Sequence, residues 1–128
     1  MYKVLEKKLL AEGLYEMKIS APDFAKKAQA GHFLIIKVSE KGERIPLTVA
    51  DFDSEEGTVT IVFAAIGVST EKIAELEVGD EVMDFTGPLG EPSEVENFGT
   101  IVMVGGGVGI APVYPIAKAL KAAGNRVI

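Results

Sequence analysis

The sequence lacks cysteine altogether and contains a single histidine, His32. Without cysteine, disulfides, thiol catalysis and cysteine-ligated iron–sulfur or zinc sites are excluded within these 128 residues. One histidine excludes a histidine-rich metal site as well, so we predict that the chain holds no metal. His32 itself is expected to be a surface or strand-edge residue rather than a catalytic one.

Runs of positive charge are also lacking. The chain carries 13 lysine and arginine residues against 19 aspartate and glutamate residues, which gives a net charge of −6. This balance argues against broad binding to nucleic acid or to an anionic membrane. The N-terminal stretch "MYKVLEKKLLAEG" is charged every few residues and does not resemble a secretory signal, which favours a cytoplasmic protein.

A hydrophobic run able to cross a membrane is lacking too, although one segment comes close. Residues 97–117 carry no charge and have the length of a transmembrane helix. Four glycines between positions 105 and 109 and two prolines interrupt this segment, and glycine alone costs a helix about 1 kcal/mol per residue. We therefore predict a strand, a tight turn and a new helix here, with no membrane contact.

What is present, up to about residue 90, is a series of short strands. Apolar or alternating segments are separated by turn residues, as in half-buried strands. The six predicted strands lie in "YKVLEKKLL", "LYEMKIS", "HFLIIKV", "RIPLTVADFD", "TVTIVFAA" and "DEVMDFTG". One helical turn is expected at "FAKKA" and a short helix at "STEKIAEL". A mostly β fold follows, with a six-stranded antiparallel barrel that we assign to residues 1–95.

The pattern changes after the acidic stretch "EPSEVENFG". The continuous apolar run "TIVMV" is typical of a buried parallel strand. Glycines follow, Pro112 suits a first helical turn, Gly124 suits a helix end, and "RVI" begins a second strand. Residues 100–128 therefore predict the first β-α-β piece of a nucleotide-binding α/β domain. The apolar face of its helix is expected at Val113, Ile116, Ala117 and Leu120.

The glycines point to a phosphate site only weakly. A strand, a glycine turn and a helix bring backbone N–H groups and a helix N-terminus together, and this arrangement attracts phosphate. However, the dinucleotide pattern G-x-G-x-x-G starts at Gly105 and Gly107 and meets Ile110 where the third glycine belongs. No Gly-Lys-Ser/Thr follows for a P-loop. A tight turn that serves packing alone remains the alternative at this point.

Three motifs taken together resemble the ferredoxin–NADP reductase superfamily. They are "RIPLT" followed by "VAD", "AAIGVSTEKIAELEVGDEV" leading into "GPLG", and "GGGVGIAPVYPIAKAL". The resemblance is strongest to the small flavin subunits of dihydroorotate dehydrogenase electron-transfer complexes and of NADH-dependent ferredoxin:NADP oxidoreductases. It implies an FAD-binding barrel, NAD(P)H as hydride donor, and electron transfer to a larger oxidoreductase subunit or a ferredoxin. The family's [2Fe–2S] cluster, by contrast, is not ligated by this cysteine-free chain.

The resemblance also implies roles for individual residues. Thr48 would lie near the reactive N5 of the flavin and is the expected catalytic residue. Arg44, one position before the arginine of the wider superfamily, would contact the FAD pyrophosphate, which the turn before the short helix would cradle. The expected cofactor-binding residues are Arg44, Pro46, Leu47, Thr48, Val62, Phe63, Ala64, Gly67, Ser69, Thr70, Gly105, Gly106, Gly107 and Gly109.

The family's chains are about twice as long, which indicates that these 128 residues are a piece of such a protein. In isolation the segment 100–128 would lack part of its cover, so we expect it to be mobile or to form a homodimer. Two other functions stay open. The chain could be a non-catalytic flavin-binding or docking subunit, or a β-barrel binding module without flavin.

Overall fold

The computed structural model describes residues 2–128. Among these residues, ten strands, three α-helices and a short 3-10 helix at Gly107–Gly109 follow one another. The strands are β1 (Tyr2–Ala11), β2 (Leu14–Ser20), β3 (Phe33–Lys37), β4 (Ile45–Thr48), β5 (Asp51–Asp53), β6 (Thr58–Ala64), β7 (Glu81–Val82), β8 (Asp84–Leu89), β9 (Thr100–Ile101) and β10 (Arg126–Val127). The helices are α1 (Pro22–Lys27), α2 (Val68–Ala74) and α3 (Ile110–Ala122).

The first eight strands form two antiparallel sheets. One has the order β5-β6-β2-β1-β7 and the other the order β4-β3-β8. Two chain segments pass from one sheet to the other without a long connection, namely β4 to β5 and β7 to β8. Such switches make the corners of a barrel-like sandwich. The predicted class, a mostly β protein with an antiparallel barrel, is therefore confirmed.

The predicted number of six barrel strands is wrong, because two of the predicted strands are each divided. In "RIPLTVADFD" the buried pair Val49 and Ala50 separates β4 from β5. The Val49 N–H donates to the His32 carbonyl beside β3, while the Ala50 N–H donates to the Thr60 carbonyl of β6. The chain thus changes its pairing partner between adjacent residues. A hydrophobic pattern that continues through such a corner gives no sign of the break.

The core lies between the two sheets. Strand β6 alternates, so that Val59, Ile61 and Phe63 point into the core while Val62 lies on the opposite side against α3. Helix α1 closes one end of the barrel with Phe24, whose ring lies 5.3 Å from that of Phe85. The largest fully buried side chains are Phe63, Met17, Ile19, Leu34, Ile36, Ile61, Ile73, Val4, Val49, Val59 and Val82.

Residues 100–128 form the predicted β-α-β unit. Strands β9 and β10 pair in parallel, with Arg126 opposite Thr100. A Schellman motif follows the last residue of α3, with Gly124 (φ +98°) in the left-handed conformation. In it, the Gly124 N–H donates to the Lys121 carbonyl and the Asn125 N–H donates to the Leu120 carbonyl. No helix among residues 2–128 is long and apolar enough to cross a membrane.

The predicted apolar face of α3 is only partly correct. Leu120 is buried, but Val113, Ile116 and Ala117 are half-buried. The other buried residues of the helix are Ala111 and Pro115. Ala111 packs against Ala50 and Val62 of the barrel, so the helix presents a face rotated from the one that its larger side chains indicated. Small residues allow this close approach, which a count of large apolar side chains does not reveal.

A buried amide fastens the linker before β9 to the end of α3. Asn125 Oδ1 accepts the N–H groups of Phe98 (2.6 Å) and Gly99 (3.0 Å). Its Nδ2 donates to the carbonyls of Glu96 (2.7 Å) and Leu120 (2.8 Å). All four hydrogen-bonding positions of the amide are therefore used. Asn125 was not singled out from the sequence.

Candidate functional site

An open groove runs between the barrel and the beginning of α3. It has a volume of about 370 Å³. The ends of β4 and β6 form one wall, and the glycine-rich turn before α3 forms the other. The residues that line it are Pro46, Leu47, Thr48, Val62, Phe63, Ala64, Ile66, Thr70, Val108, Gly109, Ala111 and Pro112.

A second groove of about 500 Å³ continues from the first towards the start of α2. The two share Pro46, Ile66 and Thr70, so they form one surface with two ends. One end is walled by β4, β6 and the turn before α3, and the other by the residues before β4 and the first turn of α2. The second groove is lined by Glu43, Arg44, Ile45, Pro46, Ile66, Gly67, Val68, Ser69 and Thr70.

The structure thus brings most of the predicted site residues together. All of them except Gly105, Gly106 and Gly107 line one of the two grooves. They come from segments that are remote in sequence, because β4 and β6 lie in different sheets and meet only at the barrel corner. The corner at residues 49 and 50 is therefore the feature that places Thr48 near α2.

The strand residues of the site differ in what they expose. Thr48 pairs with Phe33 of β3 and is half-buried, while Pro46 is exposed. Phe63 is only 1% exposed, and its ring stacks on Tyr15 inside the barrel at 5.8 Å. Contact of Phe63 with a ligand in the groove would therefore come from its main chain. Its neighbour Val62 has its side chain on the groove side of β6.

The turn before α2 is stabilised by Thr70. Its Oγ1 accepts the N–H groups of Ile66 (3.1 Å) and Gly67 (3.0 Å) and donates to the Gly67 carbonyl (3.1 Å). The N–H of Gly67 is consequently occupied. The first intrahelical bond runs from the Glu71 N–H to the Gly67 carbonyl, so the N–H groups of residues 68–70 have no carbonyl partner within the helix. The three residues that carry these donors line the second groove.

Two polar side chains of the second groove are paired with carboxylates. Arg44 Nη1 donates to Asp84 Oδ2 at 2.6 Å, and Ser69 Oγ donates to Glu43 Oε2 at 2.8 Å. The hydrogen bond and charge of Arg44 hold the pKa of Asp84 below its usual value. The sequence indicated neither pairing, because Asp84 and Glu43 reach their partners only through the fold.

The four glycines of residues 105–109 have different structural reasons. A methyl group on Gly105 would approach the Val113 side chain to 3.1 Å, and Gly107 has φ +55°. Gly106 and Gly109 have negative φ angles (−142° and −61°), and a methyl group there would meet no protein atom within 4 Å. Packing therefore explains Gly105 and backbone strain explains Gly107, whereas neither explains Gly106 or Gly109.

Gly67 behaves like Gly109. Its φ is −147°, and a methyl group there would also meet no protein atom within 4 Å. Each of these two glycines lines a groove, so the absence of its side chain enlarges the space open to a ligand. Groove residues that the sequence did not indicate include Ile66, which is 88% exposed. Its position within "AAIGVST", between β6 and the turn before α2, was the signal that could have assigned it to the groove.

His32 lies outside this site. It precedes β3 and is 7% exposed, so the expectation of a surface histidine is wrong, although it does lie at a strand edge. Its Nδ1 accepts the Gln29 N–H at 3.0 Å, which gives the ring a structural role in the loop. Among residues 2–128, every buried side-chain nitrogen and oxygen has a hydrogen-bond partner.

A second contact between the barrel and α3 is an ion pair. Lys118 Nζ donates to Asp51 Oδ1 at 3.1 Å. This hydrogen bond raises the pKa of Lys118. Exposed pairs of this kind contribute about 0.2–1 kcal/mol. The pair therefore adds little to the stability of the contact between α3 and the barrel.

An antiparallel barrel whose groove meets the glycine-rich start of a parallel β-α-β unit is the arrangement of reductase-type flavin domains. Comparison with known proteins agrees. The chain is 48% identical over 125 residues to a dihydroorotate dehydrogenase B (NAD(+)) electron transfer subunit homolog of Thermotoga maritima, covering 98% of this chain and 44% of that protein. A Bacillus caldolyticus electron transfer subunit of dihydroorotate dehydrogenase B is 34% identical over 131 residues, covering 98% of this chain and 51% of that protein.

Among solved structures, the chain matches an NADH-dependent reduced ferredoxin-NADP oxidoreductase at 47% identity and a TM-score of 0.97. The match covers 99% of this chain and 46% of that one. No protein-family model matches the chain. By sequence and fold together, the chain is a homologue of these electron transfer subunits and has a ferredoxin-reductase-like fold. It spans about half the length of the curated relatives that it matches.

Proposed function

We propose that this chain is the FAD-binding module of an oxidoreductase that passes electrons between NAD(P)H and an iron–sulfur protein or a larger partner subunit. The observation that carries the proposal is the continuous groove that joins Thr48 to the first turn of α2. One end is mostly apolar, as a flavin ring requires, and the other offers backbone N–H donors and Arg44. The order of these two environments corresponds to the order of ring and pyrophosphate in FAD.

The residues present fit the cofactor. Pro46, Leu47 and Ala64 would line the ring, and Val62 and the main chain of Phe63 would border the ribityl chain. At the other end, the N–H groups of residues 68–70 and the Ser69 hydroxyl would contact the pyrophosphate, because unpaired N–H groups and the helix dipole both favour an anion. Gly67 and Gly109 leave the space that side chains would fill.

Thr48 is the proposed catalytic residue. The bound flavin would supply the redox chemistry, accepting a hydride at N5 and releasing electrons singly. The chain's own contribution is to bind and orient it. The half-buried Thr48 would donate a hydrogen bond to N5 from the edge of the ring and leave the ring face open to the hydride donor. No protein acid or base is needed, which agrees with the structural roles of His32 and Asp51.

The proposed domain division follows the same logic. Residues 1–95 would hold FAD, and residues 100–128 would begin the NAD(P)-binding domain, where Gly105, Gly106, Gly107 and Gly109 approach a dinucleotide. The partner would be a larger oxidoreductase subunit or a ferredoxin carrying the [2Fe–2S] centre. Association of this chain as a homodimer and a cytoplasmic location are further expectations.

Hydrogen exchange of the purified chain with and without added FAD tests the proposal. FAD should slow amide exchange at residues 66–71 and 108–111, which border the grooves, and leave the hairpin of β1 and β2 unchanged. Absence of a flavin effect would favour a β-barrel binding module without flavin. Flavin binding without reduction by any dihydronicotinamide would favour a non-catalytic docking subunit.

A further inference from the structure

A carboxylate from a strand outside the groove holds the arginine that lines it. Asp84 begins β8 and Arg44 precedes β4, and these strands lie on either side of β3 in the order β4-β3-β8. Arg44 therefore reaches across β3 to Asp84, making an Nη1–Oδ2 contact of 2.6 Å. Lys37 of β3 pairs with Asp84 in register, which places a second positive charge beside the same carboxylate.

Asp84 is itself fixed from a second direction. The Thr86 hydroxyl donates to its other oxygen, Oδ1, at 3.4 Å. The short contact to Arg44 and the longer one to Thr86 engage both oxygens of the carboxylate. An arginine side chain is long and loses rotamer entropy when it is immobilised. Because Asp84 already holds the Arg44 guanidinium, this entropy is lost before any ligand binds.

We propose that Asp84 is a positioning residue, which presents the Arg44 guanidinium to the pyrophosphate of FAD. The inference rests on the proposed function of the groove. One Nη1–H of Arg44 is used by Asp84, and a guanidinium has five N–H donors, so others remain for a phosphate. Without Asp84, the Arg44 side chain would be free to turn into solvent and would be repelled by Lys37.

The same contacts would also be found if Asp84 competed with phosphate for Arg44, but that role predicts the opposite effect on FAD affinity. If Asp84 only competed with phosphate for Arg44, its removal would strengthen FAD binding. A positioning residue, once removed, weakens FAD binding, and it does so only when Arg44 is present. Riboflavin has the same ring and no phosphate, so its affinity reports the ring end of the groove alone.

The test is a double-mutant cycle in the 128-residue chain, with FAD and riboflavin titrated by calorimetry. Arg44→Met should lower FAD affinity about tenfold, as expected for a charge-assisted hydrogen bond. Asp84→Asn and Asp84→Ala should each lower it about threefold. Riboflavin affinity should change in none of these variants.

In the Arg44→Met background, Asp84→Asn should cause no further loss of FAD affinity. A gain is expected there, because an unpaired carboxylate near phosphate is removed. Glu55→Gln, a carboxylate change in the turn after β5, is the matched control.

The possible results separate the two proposals. No binding of either flavin by the unmodified chain contradicts the proposed function itself. If FAD binds but Asp84→Asn and Asp84→Ala leave its affinity unchanged or raise it, the positioning role is wrong. An equal loss of FAD and riboflavin affinity, or a lower melting temperature that parallels the loss, also contradicts it, since either outcome indicates a structural role.

Discussion

At the scale of single residues, Thr48 is the side chain on which the proposed chemistry depends. It stands at the end of β4, immediately before the corner at which the chain leaves one sheet for the other. Its main chain is fixed by pairing with Phe33 of β3. This pairing fixes the backbone from which the Thr48 hydroxyl projects, which suits a hydrogen bond to a bound ring.

Replacing Thr48 by valine keeps the shape and removes the hydroxyl. In the FAD-loaded chain we expect flavin reduction by a small synthetic dihydronicotinamide, which needs no dinucleotide site, to slow by about 1–3 kcal/mol in activation free energy. FAD affinity should change much less. Stopped-flow absorbance measures the rate, and Thr48→Ser, which retains the hydroxyl, serves as the control. If the valine variant keeps its rate and loses only cofactor, Thr48 is a structural contact.

Asn125 carries a different prediction, about stability. Asn125→Ala removes four side-chain hydrogen bonds that connect the linker 96–99 with the end of α3, and takes from the Phe98 N–H and the Glu96 carbonyl the partner that they have in the fold. Local opening of the C-terminal unit should become easier by about 2–4 kcal/mol. Amide exchange in the last turn of α3 and in β10 should accelerate, with β2 and β6 unaffected.

Asn97 provides the matched control for that prediction. It is exposed, and its Oδ1 accepts a single N–H, that of Gly99, at 3.1 Å. Asn97→Ala should therefore change local opening by less than about 1 kcal/mol. Equal effects of the two substitutions would mean that Asn125 does not fasten the linker.

Residues could be assigned to the groove from the sequence only where a motif marked them. "PLT" and "GVST" indicated the two ends of the groove, and residues of both motifs line it. Asp84 and Glu43 were missed because their partners lie 40 and 26 positions away along the chain, and Asn125 because its partners in the linker lie 26 to 29 positions away. Nothing in the local pattern around a polar residue reveals a partner that only the tertiary fold supplies.

At the scale of elements, the turn before α3 separates two uses of glycine. Gly109 lines the groove, while Gly106 lines neither groove although it is equally open. Gly109→Ala should leave the fold unharmed or stabilise it by about 0.4–1 kcal/mol, because its backbone suits alanine. The same methyl group should weaken FAD binding, since Gly109 lines the groove that the cofactor would occupy.

The neighbouring glycines are the controls for this prediction. Gly106→Ala should affect stability as Gly109→Ala does, because its extended backbone also suits alanine, and should leave FAD affinity unchanged. Gly107→Ala should destabilise the turn by about 1–2 kcal/mol, because its φ is +55°. Thermal melting and FAD titration distinguish the three. A Gly109→Ala variant that binds FAD normally would remove this turn from the flavin site.

Elements were predicted well where periodicity was uninterrupted and poorly at corners. Strand β6 and the ends of α3 agree with their patterns, including the stop at Gly124. The divisions between β4 and β5 and between β7 and β8 were missed, since a change of pairing partner leaves the apolar pattern intact. The buried face of α3 was misplaced because Ala111 and Pro115 pack closely in spite of their small size.

At the scale of the whole molecule, the barrel and the β-α-β unit meet through two kinds of contact. Ala50, Val62 and Ala111 form a small apolar cluster, and the Asp51–Lys118 ion pair lies beside it. This junction sets the width of the groove. The large exposed side chains of the β-α-β unit include Val102, Val104 and Ile128, which follow β9 and β10 and are not on the predicted face of α3.

The central claim, that this groove is built for FAD, is tested most directly by isothermal titration of the purified chain with FAD and with FMN. FMN carries the same ring and a single phosphate but lacks the pyrophosphate and adenosine that the second groove would bind. The account predicts that FAD binds at one site per chain and about tenfold or more tighter than FMN, a difference of about 1.4 kcal/mol or more. Equal affinity for the two flavins, or none for either, would contradict it.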